Sequence, residues 1–211
     1  MIELKDIILV GGGGHCRSVI EAAESAGRKI RGILDMPQFV GSEVSGYPVI
    51  GTDDMIPEYV GDCEFIVTLG AIEHAEPRAR LHKRIKEAGG SLATVIASTA
   101  FVSPRSSIGE GTVVLHQAVV NANAKVGESV IINTGAIIEH DAEVGDVTHV
   151  STGAKVNGGC KVGARCFVGS GAIMVQGISA GYDVFLGAGS LLAKDAKEPG
   201  TYVGYPARKL K

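Results

Sequence analysis

Large apolar side chains recur every six residues along the second half of the chain: Val102, Ile108, Val114, Val120, Val126, Ile132, Ile138, Val144, Val150, Val156, Val162, Val168, Met174, Ala180, Leu186 and Leu192. Ala180 is the one weak member of the series. Four residues after each position from Ile108 to Val168 stands a small or slim residue: Thr112, Ala118, Ala124, Val130, Ala136, Ala142, Thr148, Ala154, Cys160, Cys166 and Ala172. An α-helix, at 3.6 residues per turn, cannot keep a six-residue register over such a length. The pattern predicts a parallel β-helix in which each hexad buries one branched and one small side chain. Three hexads make one triangular coil, so residues eighteen apart stack at roughly the 4.8 Å strand spacing, and about five coils form a prism on the order of 25 Å tall.

Residues 1–100 carry a different pattern. Asp6–Val10 reads as a buried strand, Gly11–Gly14 as a glycine turn, and His15–Gly27 as a helix with Val19, Ile20, Ala23 and Ala26 inward. Ile30–Leu34 gives a second strand ending in Asp35, and Glu64–Leu69 another ending in Gly70. A charged helix over about 77–88 and an apolar strand near 92–97 follow. Strand–turn–helix alternation predicts a small parallel, Rossmann-like α/β sheet. The expected organisation is an α/β domain over 1–100, a β-helix over 101–196 entered through a hinge at 98–107, and a tail over 197–211.

Composition narrows the function classes. Thirty glycines and no tryptophan suit a narrow solenoid with tight corners. A net charge of −3, with acids and bases mixed, points away from a nucleic-acid surface. No apolar run is long enough to span a membrane and the N-terminus lacks a signal-peptide pattern, so a cytoplasmic protein is expected. Cys160 and Cys166 fall on the small interior position and read as packed thiols rather than metal ligands or disulfide partners.

Ile138-Glu139-His140-Asp141 breaks the apolar monotony, with His140 and Asp141 on the two outward middle positions of a hexad. An imidazole beside a carboxylate suits a general base, and Gly158, stacked one coil away, offers an N–H to a developing oxyanion. A surface histidine on a charged turn explains the same residues equally well. His149 lies half a coil round the prism, so one chain cannot present it and His140 to the same groove. A trimer could, with active sites between subunits. His116 reads as structural or peripheral. Gly153, Gly171 and Gly189 stack, as do Gly169 and Gly187, with Ser170 over Ala188 between them. These columns are either a groove for an extended ligand or ordinary solenoid corners. The run Gly11-Gly12-Gly13-Gly14-His15 opens a helix as phosphate-cradling turns do, although Cys16 replaces the last glycine of G-x-G-x-x-G. Asp35 suits a ribose or base contact. A redox dinucleotide and a nucleotide carried by a substrate both remain open here.

The hexads, the segments Ile132-Asn133-Thr134, Ile138-Glu139-His140-Asp141 and His149-Val150-Ser151, the ending Gly204-Tyr205-Pro206-Ala207 and the Gly11–His15 turn together resemble the sialic-acid O-acetyltransferase-like hexapeptide acyltransferases. The likeness is greatest to the bacterial enzymes that N-acetylate a UDP-linked 4-amino-4,6-dideoxy sugar, as in bacillosamine synthesis. It implies a left-handed β-helix, a homotrimer, and acetyl-CoA as co-substrate along the groove between two chains. By the same resemblance His140 is the base and Asp141 its acidic partner. His149, Gly158, Ser170 and Ala188 contact acetyl-CoA. Gly11, Gly12, Gly13, Gly14, His15, Asp35 and Gly70 hold the nucleotide sugar, with Asn133 near the sugar. Two positions depart from the family pattern: Met36 replaces a second acid, and Ala71-Ile72 stands where asparagine is common. The mechanism expected is direct acetyl transfer in a ternary complex without metal or covalent enzyme intermediate. Sialic acid or another nucleotide-linked amino sugar is the alternative acceptor, and a non-catalytic sugar-nucleotide scaffold the alternative of another class.

Overall fold

The computed structural model describes residues 4–71 and 75–210. Its N-terminal sheet contains β1 (Asp6–Val10), β2 (Ile30–Leu34), β3 (Glu43–Val44), β4 (Tyr47–Gly51), β5 (Cys63–Val67) and β6 (Ser91–Leu92), in the order β3-β4-β2-β1-β5-β6. All pairs are parallel except β3–β4. The strand order reverses at β1, so the crevice beyond the carboxyl ends of β1 and β5 is the natural ligand position in such a sheet. Helix α1 (Gly14–Ser25) buries Cys16, Val19, Ile20, Ala22 and Ala23. Ala26, expected inward, is exposed because the helix ends before it and it serves as the C-cap; Ala22 takes the inward place. The β3–β4 hairpin was not anticipated from the hydrophobic pattern. Its turn residues Ser45 and Gly46 have φ of 48° and 87°, the paired positive values that tight hairpins use.

The solenoid begins earlier than the pattern suggests. β7 (Val95–Ile96) is already the first strand of its longest face, pairing with Val113–Val114. The stretch near 92–97, expected as one strand, is therefore two strands in two sheets. Ala93 N–H still bonds Phe65 O in the α/β sheet at 2.8 Å, whereas Val95 N–H bonds Thr112 O in the solenoid at 3.1 Å. The segment 98–107, expected as a hinge, supplies strands Phe101–Val102 and Ser107–Ile108 of the first coil.

Above that point the hexad register holds. Val113 pairs with Ile131, Ile131 with His149 and His149 with Phe167, each eighteen residues on. The branched and small interior positions from Val114 to Leu192 form one buried cluster. Polar atoms inside it are satisfied by a repeated device. Thr112 Oγ1, Thr148 Oγ1, Cys160 Sγ and Cys166 Sγ each donate to the carbonyl fifteen residues ahead, at 2.8, 2.8, 2.9 and 2.9 Å.

The three faces differ in what they turn outward. On the face carrying β7, Val113 and Ile131 are buried against the α/β domain, in one cluster with Ile7, Leu9, Val19 and Ala23. A second face presents the ladder Lys125–Glu143–Lys161, with N···O distances of 3.8 Å. The third presents Val119, Ile137, Lys155, Ile173 and Leu191.

Arg78, from helix α2 (Glu76–Glu87), rivets the two domains. It is fully buried and donates to Val67 O at 2.5 Å and Leu69 O at 3.0 Å at the end of β5, and to Ser129 O at 2.9 Å and Gly111 O at 3.4 Å on solenoid corners. Burial pushes its pKa down to about 9, still well above neutrality, so it remains a cation. Among the described residues no helix is long and apolar enough to cross a membrane.

Candidate active site

The hexad corner explains why His140 and Asp141 project together. At every sixth residue the chain enters the left-handed region, at Gln117, Asn123, Ser129, Asp141, Val147, Arg165 and Asp183 where the residue is not glycine. Asp141, at φ 59°, is one of these corners, and the turn swings its carboxylate back over the preceding imidazole. His140 Nδ1 lies 2.8 Å from Asp141 Oδ2. With Nδ1–H donating to the carboxylate, the lone pair sits on Nε2. The Asp141 hydrogen bond is the main reason His140 titrates above the ordinary imidazole value. Asp141 in turn is held below the usual carboxylate range, first by His140 and then by the Asn123 amide.

Gly158 stacks against this pair. A Cβ placed on it would lie 2.7 Å from both Cε1 and Nε2 of His140, so the imidazole occupies the space a side chain would need. Among the described residues the Gly158 N–H meets no acceptor, and neither do those of Ser170 and Ala188. The surrounding glycine columns answer to architecture. Gly153, Gly171 and Gly189 all have φ of 65°, the value their corners demand, and a Cβ on Gly169 would lie 2.6 Å from Ala188 N in the next coil.

His149, Asn133 and His15 form a second cluster where the α/β domain meets the prism. His149 is 4% exposed, with Nδ1 3.2 Å from Ala71 O and Nε2 3.0 Å from Asn133 Nδ2. These partners assign a neutral ring that donates through Nδ1 and accepts through Nε2, leaving no N–H for a ligand. Phe167 packs edge-on at 5.2 Å, and the His15 ring lies 6.3 Å away. Burial, reinforced by Arg78, lowers His149 to about 4 and His15 to about 3. Among the described residues His15 Nε2 is buried without a hydrogen-bond partner.

A folded-state pKa below the unfolded value means that the unfolded chain binds more protons, so stability falls on acidification. His149 then contributes on the order of 3 kcal/mol that is present above pH 6.5 and lost as pH falls toward 4. The melting temperature is expected to drop between pH 6.5 and 4, and less steeply in His149→Gln. Equal slopes in the two proteins would remove His149 as the cause.

The glycine turn and Asp35 build a third feature at the strand-order reversal. Asp35 Oδ2 accepts from Gly12 N at 2.9 Å and Oδ1 from Met36 N at 2.8 Å. Gly11, at φ 107°, passes so close to Leu69 that a Cβ would meet Leu69 Cδ2 at 2.7 Å. Gly13, Gly14 and Gly70 leave open space instead. Two cavities of about 340 and 350 Å³ flank Asp35, sharing Asp35, Met36 and Leu69 as walls. Arg80 and Asp53 line the first, and Arg17 and Phe39 the second. Neither arginine was singled out by sequence; only their proximity to Asp35 in space marks them. Ile72 lies outside the described residues. His116, hydrogen-bonded to Thr99 Oγ1 at 2.8 Å, stands apart from all three features.

One chain thus assembles an imidazole hydrogen-bonded to a carboxylate on one corner of the prism. On other surfaces it holds, among the described residues, a column of N–H groups without an acceptor and a crevice beside Asp35. A hexad prism of this kind, with an outward imidazole–carboxylate pair, has the architecture of the hexapeptide-repeat acyltransferases. Residues 6–85 match the PglD N-terminal domain family. Perosamine N-acetyltransferase from Caulobacter crescentus, solved as a mutant with CoA and GDP-perosamine, is 31% identical, with a TM-score of 0.93 over 99% of this chain and 98% of that one. The acetyltransferase domain of PglB from Neisseria gonorrhoeae FA1090, solved with acetyl coenzyme A, is 31% identical, with a TM-score of 0.90 over 99% of this chain and 100% of that one. WeeI from Acinetobacter baumannii AYE, at 21% identity and a TM-score of 0.87 over 98% of this chain and 100% of that one, shares the fold. No curated protein matches the chain in sequence. The chain belongs to the hexapeptide-repeat sugar N-acetyltransferases, acetyl-CoA-dependent enzymes built on a left-handed β-helix.

Proposed function

We propose that this enzyme acetylates the 4-amino group of a 4-amino-4,6-dideoxy sugar carried on UDP. The observation that carries the chemistry is the His140–Asp141 pair packed against Gly158. His140 Nε2 takes a proton from the amine as nitrogen attacks the thioester carbonyl, and the imidazolium that forms is stabilised by Asp141. The Gly158 N–H donates to the tetrahedral oxyanion; its collapse breaks the C–S bond, and the His140 imidazolium returns the proton to the departing sulfur so that CoA leaves as the thiol. Ser170 and Ala188 offer N–H groups to the pantetheine arm. Gly11–Gly14 and the N-terminus of α1 meet the pyrophosphate, with Arg17 alongside and Asp35 at the ribose or base. Gly70 borders the nucleotide, while His15 and Asn133 face the sugar, Asn133 held by His149.

The working unit proposed is a homotrimer. The face presenting Val119, Ile137, Ile173 and Leu191, interrupted by Lys155, is mainly apolar and uncovered in a single chain, unlike the ion-paired face and the face under the α/β domain. A sister prism on that face brings one chain's His140 to another's acetyl-CoA groove and sugar cluster.

A second reading, a GDP-linked amino sugar, is favoured by the likeness to the perosamine enzyme and by Met36, where the UDP-sugar pattern has a second acid. CoA release from acetyl-CoA tests both, with a UDP-4-amino-4,6-dideoxy-N-acetylhexosamine, GDP-perosamine and free sialic acid as parallel acceptors. Turnover with the UDP sugar alone is expected. Turnover with GDP-perosamine alone transfers the assignment to the second reading, and turnover with sialic acid alone overturns N-acetylation.

A further inference from the structure

We propose that Asn123, supported by Asn121, is a positioning residue for the catalytic base, a role that rests on reading His140 as that base. Strand Val119–Val120 lies directly beneath Ile137–Ile138, so the three residues after it stack under Glu139, His140 and Asp141. Ala122 underlies the imidazole residue, its carbonyl accepting from Asp141 N at 3.0 Å. On either side an asparagine amide holds a carboxylate: Asn121 Nδ2 reaches Glu139 Oε2 at 2.9 Å, and Asn123 Nδ2 reaches Asp141 Oδ1 at 3.1 Å.

The geometry gives Asn123 a specific task. Asp141 stands on an exposed corner where a free carboxylate would sample several rotamers. With Oδ1 held by Asn123, Oδ2 points at His140 Nδ1, which fixes the tautomer and leaves Nε2 facing Gly158. Asn123 and Asp141 have φ of 60° and 59°, so their side chains leave the stacked corners in parallel. Asparagine tolerates that backbone and carries an amide that can only donate to a carboxylate. Glu139 is restrained in the same way by Asn121, and its Oε2 also accepts from His140 N at 3.3 Å. The base therefore sits between two carboxylates, each pinned from the coil below.

Stacked polar pairs also occur where no chemistry is at hand. Arg165 grips Asp183 through two 2.7 Å bonds at an equivalent corner. The test must therefore read the base itself. Asn123→Gly removes the amide without straining the left-handed corner, and Asn123→Asp keeps the shape but replaces the donor with a charge. In the full-length enzyme Asn123→Gly is expected to lower kcat roughly 10-fold with the acetyl-CoA KM and melting temperature unchanged, the cost of a misplaced catalytic group. Asn123→Asp is expected to move the acid limb of the kcat profile upward by about one pH unit, because an added negative charge favours the imidazolium. His140→Ala runs in parallel. If it is inactive while both Asn123 variants match the wild type in kcat and pH profile, the positioning role is overturned and the base stands. If it stays active, the base reading fails and the positioning role falls with it.

Discussion

His140→Ala is expected to lower turnover about 10²–10⁴-fold, the range a positioned general base contributes. The melting temperature should hold, since the imidazole is exposed, bonded only to its neighbour Asp141, and outside the buried clusters. The acetyl-CoA KM should change little, because the groove column of Ser170 and Ala188 lies on another corner. The pH profile offers an independent check. Activity requires unprotonated Nε2, so kcat falls as pH drops through the His140 pKa, which Asp141 holds above the ordinary imidazole value. Asp141→Asn removes the charge that raises it, and the acid limb is expected to shift to lower pH while the maximum rate declines. Near-normal CoA release in His140→Ala would remove His140 as the base and leave the acetyl transfer to another group.

Gly158→Ala should be almost as damaging, for a steric reason that composition alone would not suggest. Gly158 is not among the glycines with positive φ, so its backbone accepts an alanine. The obstacle is the His140 ring: the new methyl would lie 2.7 Å from Cε1 and Nε2, well inside contact distance. Either the imidazole rotates away from the acetyl group or the corner carrying the oxyanion donor moves. Each displaces a reacting partner by about 1 Å, enough to cost on the order of 10²-fold. Single-turnover transfer, compared with CoA binding by calorimetry, separates the two steps: binding is expected to persist and transfer to collapse. Unchanged transfer would mean that the working rotamer of His140 differs from the one packed on Gly158.

The corner glycines show how far sequence alone reaches. Six-residue periodicity names the interior residues because a coil has room for one branched and one slim side chain per edge, a constraint expressed locally and repeated. The same count stacks Gly158 on His140 and Ser170 on Ala188, since an eighteen-residue coil is arithmetic. It cannot say which columns of glycine answer to backbone conformation and which to a neighbouring ring. Gly171 and Gly158 both lie on hexad turns one register position apart, yet one is a left-handed corner and the other makes way for an imidazole.

The prism, its buried edge residues, the glycine turn ending β1 and the outward His140–Asp141 pair were thus determined by the sequence, through short-range periodicity and adjacency. Where the solenoid begins was decided by tertiary structure, because Val95 could pair with the α/β sheet or with Val113 and only packing chooses. Tertiary structure also set the protonation of His15 and His149, which depends on burial between two domains and on Arg78, far from both in sequence. The same holds for Arg17 and Arg80, which packing brings to the walls of the cavities beside Asp35; the eighteen-residue count stacks Asn123 under Asp141, and the structure adds the hydrogen bond between them.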